Sequence, residues 1–243
     1  MSQKKADIIA QLQRDILPLQ GLKPTANGDS VDVGLGHLNH AFSGCSFPIG
    51  AIHEFCCLKS EDMAAATGYV AGLLASLMRG GGAIVWITSN KTLFPPALSL
   101  FGIEPDKIIF VYLQKEKDIL WAMEEALRCN GLAAVVGEMQ ELSFTSSRRL
   151  QLAVEQSRVT GFIIRRNPRI FNTTACVSRW MITQLPSVLE DNIPGVGFPR
   201  WNVELLKIRN GKPGSWQIEW VAGRFRHIPI ITSMPLEQRK KTG

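Results

Sequence analysis

From residue 52 onward, apolar runs of strand length alternate with longer stretches of helical spacing, and the alternation repeats four times. Residues 51–56 predict a strand, 57–62 a turn and 63–78 an apolar helix. A triple glycine then leads into a strand at 83–88, a helix near 95–101 and a strand at 108–113. Residues 115–128 predict a helix, 132–137 a strand, 145–160 a helix and 161–165 a strand. Strands separated by helices build a mainly parallel sheet covered on both faces, so the expected fold class is α/β. The 63–78 helix is apolar on every side, which predicts deep burial.

The flanks read differently. Ile8, Ile9, Leu12 and Ile16 recur at helical spacing within residues 4–17 and predict a short amphipathic helix. Residues 21–36, rich in Gly, Asn, Asp and Ser, read as a tether. After Pro168, extended runs at 175–184, 201–209 and 216–223 carry tryptophans. Asn210-Gly211-Lys212-Pro213-Gly214-Ser215 supplies turn chemistry for an antiparallel hairpin closing one edge of the sheet, and residues 186–199 read as a connector. The expected organisation is an N-terminal helix and linker (1–41), an α/β core with its C-terminal hairpin (42–232) and a basic tail (233–243).

Composition narrows the reading. A chain of 243 residues that is 45% apolar supplies a sizeable core and excludes disordered or fibrous architectures. Its most apolar uncharged stretch, residues 63–78, falls short of the roughly 20 residues a membrane crossing needs. The N-terminal residues lack the apolar region of a secretory signal. Five cysteines without a CxxC pair argue against a disulfide framework, so a cytoplasmic location is expected. His37, His40 and Cys45 could gather a metal, but their spacing fits no zinc pattern and a fourth ligand is missing. A polar connector with a buried thiol is the alternative, and no metal or cofactor is expected. Charge is unevenly placed: residues 200–243 hold nine basic and three acidic side chains, which equals the whole net charge of +6. Such a segment can attract an acidic protein surface or a phosphate backbone, or simply keep a face solvated.

In an α/β sheet the turn after the first strand is where a phosphate would sit, on the N–H groups of the following helix. A P-loop there needs two glycines, a lysine and a hydroxyl. In Cys57-Leu58-Lys59-Ser60-Glu61-Asp62-Met63-Ala64 the glycine positions fall on Cys57 and Asp62, the lysine on Met63 and the hydroxyl on Ala64. Glu61 and Asp62 put negative charge where a polyphosphate would arrive, and with Ser60 as cap they suit a helix that stands without ligand.

From Phe47 through Gln184 the chain resembles the core of the RecA recombinase family. FPIGAIHEF is similar to the segment entering that family's P-loop. AIVWITSNKTLFPPALSLFGIEPDKIIFV is similar to its second strand, helix and third strand, with Gly102 at the helix-ending glycine. The resemblance puts the catalytic glutamate on Asn90, which cannot act as a base, and the Walker B aspartate on Gly137. Glu138 lies one residue on, and a one-residue shift turns a strand side chain to the opposite face. WNVELLKIRNGKPGSWQIEWVAGRF resembles the family's last core hairpin. It puts Lys207 and Arg209, on one strand face, where two basic residues reach the neighbouring subunit's nucleotide; the alternative is two snorkelling side chains on an edge strand.

A RecA-like body with a degraded P-loop, a short N-terminal helix and a tryptophan-rich basic hairpin is similar to the ImuA group of the SulA/ImuA branch. That resemblance implies a non-catalytic accessory protein of SOS-induced, error-prone translesion DNA synthesis. Its partners would be a polymerase-like adaptor (ImuB) and, through it, an error-prone DnaE-type polymerase. RecA, a second copy of the chain, and DNA at the basic C-terminal region are further candidates, whereas a membrane is not. A SulA-type cell-division inhibitor and a DNA-binding module are the alternative functions. Trp201, Trp216, Trp220, Arg224 and Arg226, with Lys207 and Arg209, are the candidate contact residues because Trp and Arg anchor binding hot spots; a tryptophan is nonetheless more often core than interface. Removing residues 200–243 is expected to abolish adaptor binding and to leave the fold intact.

Overall fold

A computed structural model describes residues 32–188 and 197–229. The expected N-terminal helix, the middle of the connector and the basic tail lie outside the described residues. Nine strands form one sheet in the order β3-β2-β4-β5-β1-β6-β7-β8-β9. β1 (Ile52–Cys57), β2 (Ala83–Thr88), β3 (Ile108–Tyr112), β4 (Leu132–Met139), β5 (Thr160–Arg166) and β6 (Ser178–Leu185) are mutually parallel. β7 (Arg200–Ile208), β8 (Gly214–Val221) and β9 (Arg224–His227) continue the sheet antiparallel. The C-terminal feature is thus three strands rather than a hairpin. Ala222 and Gly223 (φ +50° and +72°) make the tight turn into β9.

Helix α1 (Ser60–Leu77) covers one face. α2 (Glu116–Leu127) and α3 (Phe144–Ser157) cover the other. Alternation along each parallel strand sends side chains into two separate cores, one around α1 and one beneath α2 and α3. Residues 95–101, expected as a helix, form a 3-10 helix instead. Pro95 and Pro96 lack N–H donors, and Gly102, left-handed at φ +82°, ends the run before an α-helical register can establish itself. The α1-side core begins before the expected linker ends: Val33, Leu35, Leu38 and Ala41 are all buried in it.

α1 is buried on more than its sheet side. Tyr69 meets Trp180, Trp201 and Phe225 with ring centroids 6.3, 6.0 and 5.1 Å away. Gly72 is what lets β8 and β9 close on the helix, because a Cβ there would stand 2.5 Å from Phe225 and 2.9 Å from Trp220. Trp201, Trp220 and Phe225 are accordingly buried. The expectation that residues 200–243 can be removed without loss of the fold is therefore wrong: three strands of the sheet and one wall of the core go with them.

Candidate functional site

β1 and α1 are joined by Leu58 and Lys59 alone. The helix starts three residues before the expected Met63, so residues 60–62 form a first helical turn where a phosphate-binding loop would keep its amides open. Lys59, extended at φ −122°, is the N-cap in place of the expected Ser60. Its N–H donates to Asp62 Oδ2 at 3.0 Å, satisfying one of the donors a phosphate would claim. Ser60 Oγ donates to Glu61, and the Glu61 carboxyl is held below its usual range by its own amide N–H and by that hydroxyl. Cys57 is buried, and burial pushes its thiol pKa up.

The acid at the end of β4 is placed differently from expectation. Gly137 faces away from α1, beneath Met123 of α2, whose Sδ would lie 2.7 Å from a Cβ at that position. Glu138 is the residue that faces α1, and it lines a cleft together with Ser60, Met63, Ala64 and Asn90. Both of its oxygens are engaged: Oε1 accepts from Trp86 Nε1 at 2.8 Å and Oε2 from Thr88 Oγ1 at 2.9 Å. Asn90 N–H in turn donates to Thr88 Oγ1 at 3.0 Å. The carboxylate is a buried acceptor fixed by two neutral donors. Among the described residues lining the cleft Glu138 is the sole carboxylate, and both of its oxygens are already engaged.

This cleft, about 1110 Å³, opens at the C-terminal ends of β1, β2, β4 and β5, the usual ligand position in a parallel sheet. Its walls come from Leu58 and Met63 on one side, the segment 92–101 on another, and Phe198 to Trp201 on a third. The resulting surface is mainly aliphatic and aromatic.

The C-terminal candidates divide. Trp201 and Trp220 are core residues, and Trp220 Nε1 donates to Leu100 O at 3.2 Å; Trp216 is half-buried against the same core. Lys207 Nζ donates to Thr174 O at 3.0 Å and Arg209 to Ala175 O at 3.2 Å, so both hold the loop before β6. Arg226 and Arg200 flank Glu219. Arg224 is exposed on β9.

A buried ionic cluster escaped the sequence reading. Glu54 and Arg165 are completely buried and joined at 2.8 Å, and Arg179 Nε meets the other Glu54 oxygen at 2.9 Å. Thr174 Oγ1 also donates to Glu54, while Arg165 contacts Asn172, Glu141 and the carbonyl of Ile170. The signal was present: Glu54 interrupts the apolar run IHEFCC and Arg165 ends GFIIR, and a charge inside a fully buried strand requires a partner. Beside this cluster, burial and the Glu54 charge push the Cys56 thiol up to about 12. The His37 and His40 rings lie 6.2 Å apart, tilted at 36°, His37 also meets His227 at 5.9 Å, and Cys45 Sγ lies 3.7 Å from His40 Nδ1. Cys45 is exposed rather than buried, and among the described residues no group of three or more His, Cys, Asp or Glu is arranged to hold a metal. Nor is any described helix long and apolar enough to cross a membrane.

No family model matches the chain. The crystal structure of the RadB recombinase superposes with a TM-score of 0.56 at 13% identity, covering 82% of this chain and all of that one, which is a likeness of fold. Cell division inhibitor SulA of Photorhabdus laumondii is 29% identical over 105 residues, or 43% of this chain and 59% of that protein. Protein ImuA from two strains of Caulobacter vibrioides is 35% identical over 194 residues, spanning 75% of this chain and 80% of the relative. On a RecA-like sheet whose first turn is closed by its own side chains, identity of that extent shows that the chain belongs to the ImuA family.

Proposed function

We propose that this protein is a non-catalytic accessory factor of SOS-induced translesion synthesis, binding a polymerase-like adaptor of the ImuB type and, through it, an error-prone DnaE-type polymerase. The observation that carries the non-catalytic reading is the two-residue turn between β1 and α1, whose Lys59 amide is already taken by Asp62. A fold that stabilises this helix start from within needs no nucleotide to hold it. Family membership supplies the setting, and the capped helix start, with both Glu138 oxygens engaged, supports a contribution by binding.

Deleting the gene is expected to abolish damage-induced mutagenesis, and the purified chain is expected to capture the adaptor in a pull-down. Unchanged mutagenesis together with no capture would sink the proposal. The similarity to SulA supports a second reading, a cell-division inhibitor. Filamentation on overexpression with normal mutagenesis on deletion would favour it.

A further inference from the structure

Consecutive strand residues face opposite sides of a sheet, and the two arginines that end β5 have opposite fates. Arg165 enters the Glu54 cluster; Arg166 lines the cleft over α1. Arg166 Nη2 donates to Ser89 Oγ at 2.8 Å, but its Nε is sealed from water and has no acceptor. Buried donors of that kind are rare in native proteins, so the guanidinium that lines the cleft keeps hydrogen-bonding capacity unused among the described residues. Lys59, also lining the cleft, forms no ion pair among the described residues. The rim is apolar and open to water: Leu58, Phe94 and Phe198 are 44%, 67% and 44% exposed. Apolar rims of this sort mark surfaces that meet other proteins. Polyphosphate fits poorly, because the helix-start amide is capped and the Glu138 carboxylate lies among the lining residues.

We infer that this cleft binds a peptide segment of a partner protein, one that inserts a large apolar side chain and carries an aspartate or glutamate beside it. The side chain packs among Leu58, Phe94 and Phe198, and the carboxylate pairs with Arg166 and Lys59. The inference rests on the non-catalytic reading and gives the accessory protein a specific place of attachment.

A selection of random 12-residue peptides on phage against the full chain tests it, followed by fluorescence polarisation titration of the enriched peptides. The expected peptides share a Phe, Trp or Leu anchor with a nearby acid. Phe94→Asp and Leu58→Asp, both at exposed positions, should weaken their binding at least tenfold without changing the melting temperature. Arg166→Gln should remove the preference for acidic over amide-substituted versions of the same peptide. Failure to enrich such peptides overturns the inference, as does equal binding to Phe94→Asp and Leu58→Asp. Displacement of the peptides by micromolar magnesium-ATP also overturns it and returns the cleft to nucleotide. An adaptor that fails in pull-down while the selection succeeds removes the adaptor and leaves the cleft standing. An adaptor captured while the selection fails removes the cleft alone.

Discussion

Gly137 shows how much a single strand position settles. Placing an aspartate there, where the family resemblance puts one, would drive a carboxylate under Met123 on the face away from the cleft. Gly137→Asp is expected to cost about 3 kcal/mol in urea denaturation, from overpacking and an unpaired buried charge, with no gain in nucleotide-induced thermal stabilisation. Recovered ATP binding would contradict the placement. Glu54 lies at the other extreme, a buried acid compensated by two arginines. Glu54→Gln leaves Arg165 with only the longer Glu141 contact and removes the carboxylate from Arg179, and should destabilise the fold by about 3–5 kcal/mol. A loss below 1 kcal/mol would mean that Thr174, Asn172 and Glu141 already satisfy the guanidinium groups. Sequence periodicity assigned Gly137 and Glu138 to opposite faces but not which face carries α1, because period two is blind to an inversion of the whole strand.

At the scale of elements, most strands and the starts of α2 and α3 were legible, whereas the start of α1 was not. A strand such as residues 83–88 is preceded by three glycines, followed by Ser89 and Asn90, and filled with β-branched residues, so its limits are written locally. The start of α1 depends instead on whether Asp62 reaches back to the Lys59 amide, and that bond exists only once the turn has formed. The tryptophans of β7 and β8 were candidate surface anchors because Trp and Arg together mark binding hot spots. Trp201 and Trp220 are core because the sheet continues over α1 far enough to bury them, and Gly72 marks that approach. Gly72→Val is expected to lower stability by about 1–3 kcal/mol, seen as a lower melting temperature and stronger dye binding as Phe225 and Trp220 are pushed outward. A chain ending at residue 199 should be insoluble or molten by near-ultraviolet circular dichroism, and a cooperative melt would refute the core assignment of β7 to β9.

For the whole molecule, pH is the revealing variable. His53 is completely buried, and burial lowers its pKa to about 4, a shift opposed by the Pro48 carbonyl. Pro48 O can only accept, so Nε2 carries the proton (2.7 Å); Trp180 Nε1 donates to Ser178 Oγ (2.6 Å), leaving that hydroxyl to donate to His53 Nδ1 (2.6 Å). The folded imidazole therefore stays neutral while the unfolded one takes a proton near 6.5. Stability is full above pH 6.5 and falls as the pH drops towards 4, by about 3 kcal/mol from this group. Urea midpoints between pH 7 and 4 should show the fall, and His53→Gln should flatten it; an unchanged slope in the variant would refute the assignment. The amino-acid order by itself determined the α/β class, most strands, the lack of a P-loop and the family resemblance, because these depend on local periodicity and on residue types at fixed spacing. Only the tertiary structure decided which face of β4 meets α1, that Trp201 and Trp220 are core, and that Arg166 lines an apolar cleft. Those outcomes depend on distant segments meeting across the sheet, and neither period two nor composition records which segments meet.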